Sequence, residues 1–213
     1  MGSGALYNRL ASLIIAPTSG AMGVDVTGLR ISFEVRKTSS SAANPSSIQV
    51  YNLSPSTRNK ILAKKTALIL RAGYGATNDQ IPLLASGVIL RVEHAPQPPD
   101  VVSTFEIRDG GLGLDEAKFR RAYGAGTSVK RIMLDILGQM SDVSQGPMVC
   151  FAIEQNLSHK RSFSGSARQA MDKLASAYGF EWSVQNGVFQ ALDRFGTTLP
   201  QNSATVLSPK LEW

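Results

Sequence analysis

The chain has 213 residues, a formal net charge of +6 at pH 7, and 43% hydrophobic residues. This length suits one large domain or two small ones, and the composition is ordinary for a soluble globular protein. No apolar run approaches the ~20 residues that a membrane-spanning helix needs, so membrane insertion by this chain is not expected. The single cysteine, Cys150, excludes an intramolecular disulfide, and its apolar neighbours predict a buried thiol.

The longest alternation of apolar and polar residues lies in residues 24–37. A period of two predicts one long strand with one buried face, and the apolar set is Leu29, Ile31, Phe33 and Val35. Residues 10–16 form a shorter strand candidate before it. Residues 38–47 are polar and without periodic apolar residues, which predicts a mobile loop.

Three further strand patterns follow between residues 66 and 110, joined by segments rich in turn-forming residues. Short connections of this kind predict an antiparallel meander. Ahead of the meander, Ser54 as N-cap and Pro55 as first helical residue predict a short helix after a strand that ends near Tyr51.

After residue 110 the spacing of apolar residues becomes typical of helices. Apolar residues recur at helical spacing over residues 129–140, which predicts an amphipathic helix with Thr127 as its cap. A second amphipathic helix is predicted from a cap at Ser164 or Ser166 to Tyr178, followed by a C-capping glycine at position 179.

The last part of the chain carries a strong hairpin signal. Asn186 and Gly187 separate two alternating runs and are the preferred pair for a two-residue type I′ turn. Residues 148–153 and 204–208 predict two short strands. The sequence therefore predicts an α+β fold, with an antiparallel β-barrel or sandwich in residues 1–110 and a smaller α/β domain, with two helices and a hairpin, in residues 111–213.

No set of residues predicts catalysis or metal binding. His94 and His159 are the only histidines and lie in no ligand-spaced motif. Asp109, Asp115 and Glu116 could be drawn as an acid–base pair, but a solvated loop is the simpler account. We therefore expect no enzyme, no catalytic, cofactor-binding or metal-binding residues, and no cofactor.

Two other kinds of function stay open on the residues alone. The basic surface and the aromatic rings interleaved with basic residues suit a nucleic-acid-binding protein. The rings are Tyr7, Tyr51, Tyr74, Tyr123 and Phe119. Tyr51 and Tyr74 lie in predicted strands, where core packing or subunit contact explains them equally well. A cell-wall (carbohydrate) binding module is the other alternative, because residues 164–194 resemble pieces of wall-binding domains.

Several segments, taken in order, resemble the baseplate hub proteins of long-tailed bacteriophages, the late-control-D-like or Mu-type hub family. The most specific are IQVYNLSPSTR at residues 48–58, RAGYG at residues 71–75, and the W-x-x-x-x-G hairpin from Trp182 to Gly187 that follows an Ala-rich helix. The resemblance covers about residues 25–208.

The resemblance implies a structural protein of the virion with a β domain of the tail-tube type in residues 1–110. It implies assembly with other copies of the chain as a trimer, between tail-tube and spike proteins, with the tape measure protein as a further partner and DNA only in transit through a lumen. The implied location is the tail baseplate, and the host cytoplasm during assembly. Family members carry two tube-like domains, whereas one is visible in this sequence.

Overall fold

A computed structural model describes residues 9–17, 22–38, 41, 45–61, 66–74, 77, 81–109 and 113–194. The described residues are rich in strands, which are mostly antiparallel, and contain few helices. These features agree with the predicted α+β class, and the strands of the described residues form no closed barrel. None of the described helices has the length and the apolar character needed to cross a membrane.

Seven strands of the first half form one antiparallel sheet. They are β1 (Arg9–Pro17), β2 (Val24–Asp25), β3 (Ile31–Glu34), β4 (Pro45–Tyr51), β5 (Thr66–Tyr74), β6 (Leu83–Gln97) and β7 (Asp100–Arg108). Their order in the sheet is β2-β1-β5-β6-β7-β4-β3, so β5, β6 and β7 form the predicted meander. The two outermost strands, β2 and β3, are consecutive in the chain and are joined by residues 26–30 alone.

One face of this sheet forms a hydrophobic core. Alternate residues of each strand point to the same face, and the register places Leu13 opposite Leu70 and Ile15 opposite Leu68. All four are buried and belong to one cluster, which also contains Ile48, Val50, Ile89, Phe105 and Ile107. The face opposite this core is the one available for contacts outside the sheet.

The prediction of one long strand over residues 24–37 is wrong. A turn at Thr27 and Gly28 interrupts it, held by a hydrogen bond from the Thr27 amide to Asp25 Oδ1 at 2.8 Å. Strand β2 pairs with β1, whereas β3 pairs with β4, so the two pieces lie at opposite edges of the sheet. Phe33 is 41% exposed, and the predicted buried face is not continuous.

The short helix α1 (Pro55–Lys60) confirms the predicted cap. Ser54 Oγ accepts a hydrogen bond from the Thr57 amide at 3.1 Å, and Pro55 takes the first helical position. The predicted loop over residues 38–47 is shorter than expected, because β4 begins at Pro45; residues 39–40 and 42–44 lie outside the described residues.

The second half has a core cluster of its own. Its elements are α2 (Gly113–Glu116), β8 (Lys118–Tyr123), α3 (Val129–Leu137), β9 (Ser144–Val149), a 3-10 helix (Phe151–Glu154), β10 (Arg161–Ser166), α4 (Ala167–Tyr178), β11 (Phe180–Gln185) and β12 (Val188–Asp193). Strands β8 and β10 form an antiparallel pair, and β11, β12 and β9 form a sheet in which β9 runs parallel to β12. Helices α3 and α4 cover them with a core that includes Phe119, Ile132, Met171, Trp182 and Phe189.

Three local signals of this half are confirmed. The Ser166 side chain and the Gln169 side chain cap α4 reciprocally, each accepting the other residue's amide at 3.2 Å. Gly179 ends the helix in the left-handed region at φ 72°. Asn186 and Gly187 both have positive φ, at 54° and 75°, as a type I′ hairpin turn requires.

Two details of this half were predicted incorrectly. The N-cap of α3 is Ser128 and not Thr127, whose hydroxyl donates to the Gly124 carbonyl oxygen at 2.8 Å instead. The strand expected over residues 148–153 begins earlier, at Ser144, and gives way to the 3-10 helix. The strand expected over residues 204–208 lies outside the described residues.

Candidate assembly surface and the junction between the two cores

Two exposed isoleucines lie side by side on the outer face of the large sheet. Ile14 of β1 and Ile69 of β5 are directly opposite in the register, and they are 36% and 38% exposed. Their neighbours in sequence point into the core, so this pair points away from it. We call Ile14 and Ile69 the outer-face pair.

A cleft of about 620 Å³ adjoins the outer-face pair. Residues 67–69 of β5 and 86–88 of β6 line one wall, and residues 142–144 together with the hairpin turn at residues 186–187 line the other. The second half of the chain therefore lies beside this part of the large sheet, and Ile69 itself lines the cleft between them.

A buried carboxylate joins the sheet to the hairpin turn. Asp109 follows β7 directly and is only 6% exposed. Its Oδ1 accepts a hydrogen bond from the Asn186 amide at 2.7 Å, and its Oδ2 lies 3.9 Å from Lys37 Nζ. Lys37 Nζ also donates to Asn186 Oδ1 at 2.6 Å, so three distant segments meet here. We call Lys37, Asp109 and Asn186 the carboxylate junction.

Burial dominates the electrostatics of the carboxylate junction. Burial raises the pKa of Asp109, while Lys37 and the main-chain amides of Asn186 and Gly187 act in the opposite direction. Burial also lowers the pKa of Lys37, against the attraction of Asp109. The directions of these two pKa shifts indicate that removal from water outweighs the attraction between the two charges. Among the interactions that favour the ionised Asp109, the attraction of Lys37 is the largest, and the two main-chain hydrogen bonds come after it.

The two acidic residues weighed in the sequence whose side chains are described, Asp109 and Glu116, lie in different environments. The expectation of a solvated loop is wrong for Asp109, which is buried in the carboxylate junction. Glu116 is exposed, and the side chain of Asp115 lies outside the described residues. Nothing in the sequence around Asp109 points to Asn186, which lies 77 residues further along the chain.

The histidines and the cysteine lie in separate places. His94 is half-buried in β6, with Nδ1 2.8 Å from Ser103 Oγ, whereas His159 is exposed. Cys150 is 5% exposed, as predicted, and burial raises the pKa of its thiol. Within the described part of the chain, no three His, Cys, Asp or Glu side chains are grouped so that they could hold a metal ion.

The aromatic residues considered for nucleic-acid binding are also dispersed. Tyr51 lies in β4 with the Arg30 guanidinium 4.4 Å from its ring centre. Tyr74 lies in β5, which does not neighbour β4, and is 42% exposed. Phe119 is buried in the core of the second half, and Tyr7 lies outside the described residues. The structure therefore does not bring Tyr51, Tyr74 and Phe119 together as one stacking surface.

A scan against protein-family models finds no match, and neither does a search of curated proteins. Solved structures do match. A tail protein from Neisseria meningitidis is 12% identical, with a TM-score of 0.59 over 87% of this chain and 50% of that one. The 43 kDa tail protein of prophage MuSo2 from Shewanella oneidensis is 8% identical, with a TM-score of 0.61 over 85% and 53%.

A third match comes from a secretion complex. A chain of the Francisella PdpA–VgrG complex is 10% identical, with a TM-score of 0.60 over 96% of this chain and 31% of that one. This chain thus spans about half the length of the two tail proteins and about a third of the third match. At such identities the likeness shows the fold, and it confirms the resemblance to phage tail proteins at that level.

Proposed function

We propose that this chain is a structural, non-enzymatic protein of a phage-type tail. More particularly, we propose that it is the baseplate hub, which joins the tail tube to the central spike through a ring of subunits. The observation that carries the proposal is the shared fold with two tail proteins over 85–87% of the chain. The proposed location is the virion tail baseplate, after assembly in the host cytoplasm.

The proposed hub would have two parts. Residues 1–110 would be a domain of the tail-tube type and residues 111–213 a smaller second domain. The five-residue connection between β2 and β3 supports closure of the sheet toward a barrel, because it keeps the two edge strands close together. The separate core clusters support two domains.

The outer-face pair supports the proposed subunit contact. Ile14 and Ile69 form an exposed apolar spot on the outer face of the sheet, and burial of such side chains drives association. The proposed partners are other copies of the chain in a trimer, the tail-tube and spike proteins, and the tape measure protein. DNA would pass through the lumen without a dedicated site.

The proposal is tested by placing a charge in the outer-face pair. Ile14→Glu is expected to weaken self-association at least about tenfold, because a carboxylate cannot be buried unpaired in a subunit contact. Light scattering over a range of protein concentrations measures the association of wild type and variant. Leu134→Glu is the matched control, because Leu134 of α3 is also 36% exposed but lies outside the sheet.

Equal association of the two variants would contradict a role for the outer-face pair. A wild-type chain that is monomeric in solution, and that microscopy of labelled particles does not locate in the tail, would overturn the hub proposal as a whole. Circular dichroism confirms that each variant is folded before it is compared.

A further inference from the structure

A groove of about 550 Å³ runs beside strand β10. Three consecutive residues of the strand line it, Arg161, Ser162 and Phe163, and no residue of β8 does. Successive side chains of a strand point to opposite faces, so a groove that touches all three lies along the edge of β10 and not over one face. This edge is the one that faces away from β8.

That edge of β10 has no strand partner among residues 113–194 or the rest of the described chain. Strand β10 pairs only with β8, in a register that runs from Arg161 opposite Tyr123 to Ser166 opposite Lys118. A strand paired on one side directs the N–H and C=O groups of alternate residues outward on the other. The groove therefore offers main-chain donors and acceptors to an incoming strand.

Helix α4 forms the opposite wall of the groove. Lys173, Ser176 and Ala177 of this helix face β10 across it. The reciprocal cap at Ser166 fixes the start of the helix, and its buried face packs into the core. The strand wall is also fixed, because the Phe163 ring packs edge-on against two buried aromatic rings of β8. Both walls are therefore preformed.

The strand pair beside the groove is strongly cationic. Residues 118–123 and 159–166 contain no Asp or Glu and five Lys or Arg residues, which are Lys118, Arg120, Arg121, Lys160 and Arg161. Of these, Arg121 pairs with Asp135 of α3 at 3.1 Å. Helix α4 adds a further cation to the groove, Lys173. Such a surface favours a negatively charged partner.

Among the described residues that line the groove, Asp172 is the one carboxylate, and its side chain already accepts a hydrogen bond. Asp172 Oδ1 accepts a hydrogen bond from Trp182 Nε1 at 3.0 Å. Two cationic side chains, Arg161 and Lys173, flank the groove. The Arg161 guanidinium lies 5.9 Å from the centre of the Tyr178 ring, a cation–π contact between strand β10 and helix α4.

We propose that the free edge of β10 binds an extended acidic peptide segment of a partner protein by strand addition. Main-chain hydrogen bonds to β10 would supply affinity, and alternate side chains would supply specificity. Arg161 and Phe163 share the face of β10 that packs toward the helix. Acidic side chains at every second position of the peptide would therefore meet Arg161 and Lys173, while the intervening residues would face solvent beside Ser162. This proposal does not depend on the assignment to a tail.

The first test uses a synthetic peptide that alternates glutamate and threonine, titrated into the full chain. Amide resonances of residues 161–166 and 172–177 are expected to shift in nuclear magnetic resonance spectra, and a matching lysine–threonine peptide is expected to leave them unchanged. Methylation of one alternate set of peptide amides should abolish the shifts and methylation of the other set should not, because only one set meets the strand edge.

Substitutions in the groove provide the second test. The double variant Arg161→Glu and Lys173→Glu is expected to weaken binding of the glutamate peptide at least about tenfold. The control variant Lys130→Glu and Arg131→Glu makes the same charge change at exposed positions of α3 and should bind as wild type does. Ala177→Trp fills the groove without a charge change and should also weaken binding of the glutamate peptide. This variant replaces the double charge variant in the test if the latter does not fold.

Several outcomes would overturn the proposal. They are an absence of shifts at β10, equal binding of the lysine peptide, equal loss in the groove and control variants, and insensitivity to both methylated peptides. A single-stranded oligonucleotide that shifts the same amides more strongly than the peptide would assign the surface to nucleic acid instead.

Discussion

Replacing Asp109 with alanine is expected to lower the free energy of unfolding by about 2–3 kcal/mol. The change removes the acceptor of the Asn186 amide, at 2.7 Å, and takes the negative charge away from half-buried Lys37. Asp109→Asn keeps an oxygen acceptor and is expected to cost less. Urea denaturation of wild type and both variants measures the differences.

An exposed carboxylate is the control for this substitution. Glu34 pairs with Arg36 at 2.6 Å but is 64% exposed, and exposed pairs contribute about 0–1 kcal/mol. Glu34→Ala should therefore cost less than Asp109→Ala. Lys37→Met combined with Asp109→Asn should be nearly neutral, because both charges of the carboxylate junction are removed together. Equal losses for Asp109→Ala and Glu34→Ala would show that the carboxylate junction does not stabilise the fold.

Acidification is expected to raise the free energy of unfolding of the wild-type protein relative to that of Asp109→Asn. Burial raises the pKa of Asp109 in the folded protein above its usual value of 3.8, so folding favours the protonated carboxyl. This stabilisation is fully present below the usual value and is lost as the pH rises through the folded-state pKa. The free energy of unfolding of wild type relative to Asp109→Asn should therefore rise as the pH falls. If this difference in free energy of unfolding falls on acidification, the pKa of Asp109 is not raised by folding.

Truncation of one buried ring in each core is expected to give the largest loss of stability. Phe105 in the large sheet and Phe189 in the second half are both fully buried, and removal of such a ring typically costs about 3–5 kcal/mol. If the two proposed domains unfold separately, Phe105→Ala should lower the midpoint of one calorimetric transition and Phe189→Ala the midpoint of the other. A single transition that both variants shift equally would rule out two independent domains.

Signals contained within a few neighbouring residues were predicted well from the sequence. Ser54 with Pro55, Ser166 with Gly179, and Asn186 with Gly187 each specify a local backbone conformation with little help from the rest of the chain. The apolar stripe of α3 was also predicted, because its spacing matches the helical period. The antiparallel meander followed from short connections between alternating runs.

Features that depend on distant contacts were missed. Residues 24–37 keep their alternation through the turn at Gly28, since both β2 and β3 are strands, so periodicity could not reveal that they lie at opposite edges. Strand β9 contains Gly146 and Pro147, two residue types that are depleted in strands. An added Cβ at Gly146 would lie 2.4 Å from the Phe189 carbonyl oxygen, so that glycine permits a close approach of β12 that the sequence does not indicate.

The strand order of the large sheet also governs how the chain can fold. Strand β1 is synthesised long before its partner β5, and β4 long before its partner β7. Within the described sheet, the pairing of β6 with β7 joins the group β2-β1-β5-β6 to the group β7-β4-β3. A nascent chain that ends before β7 thus holds β3 and β4 without the strand that attaches them to the others. Such long sequence separations slow folding and leave strand edges open to aggregation. Completion of β7 is the step after which a growing chain can close its first core.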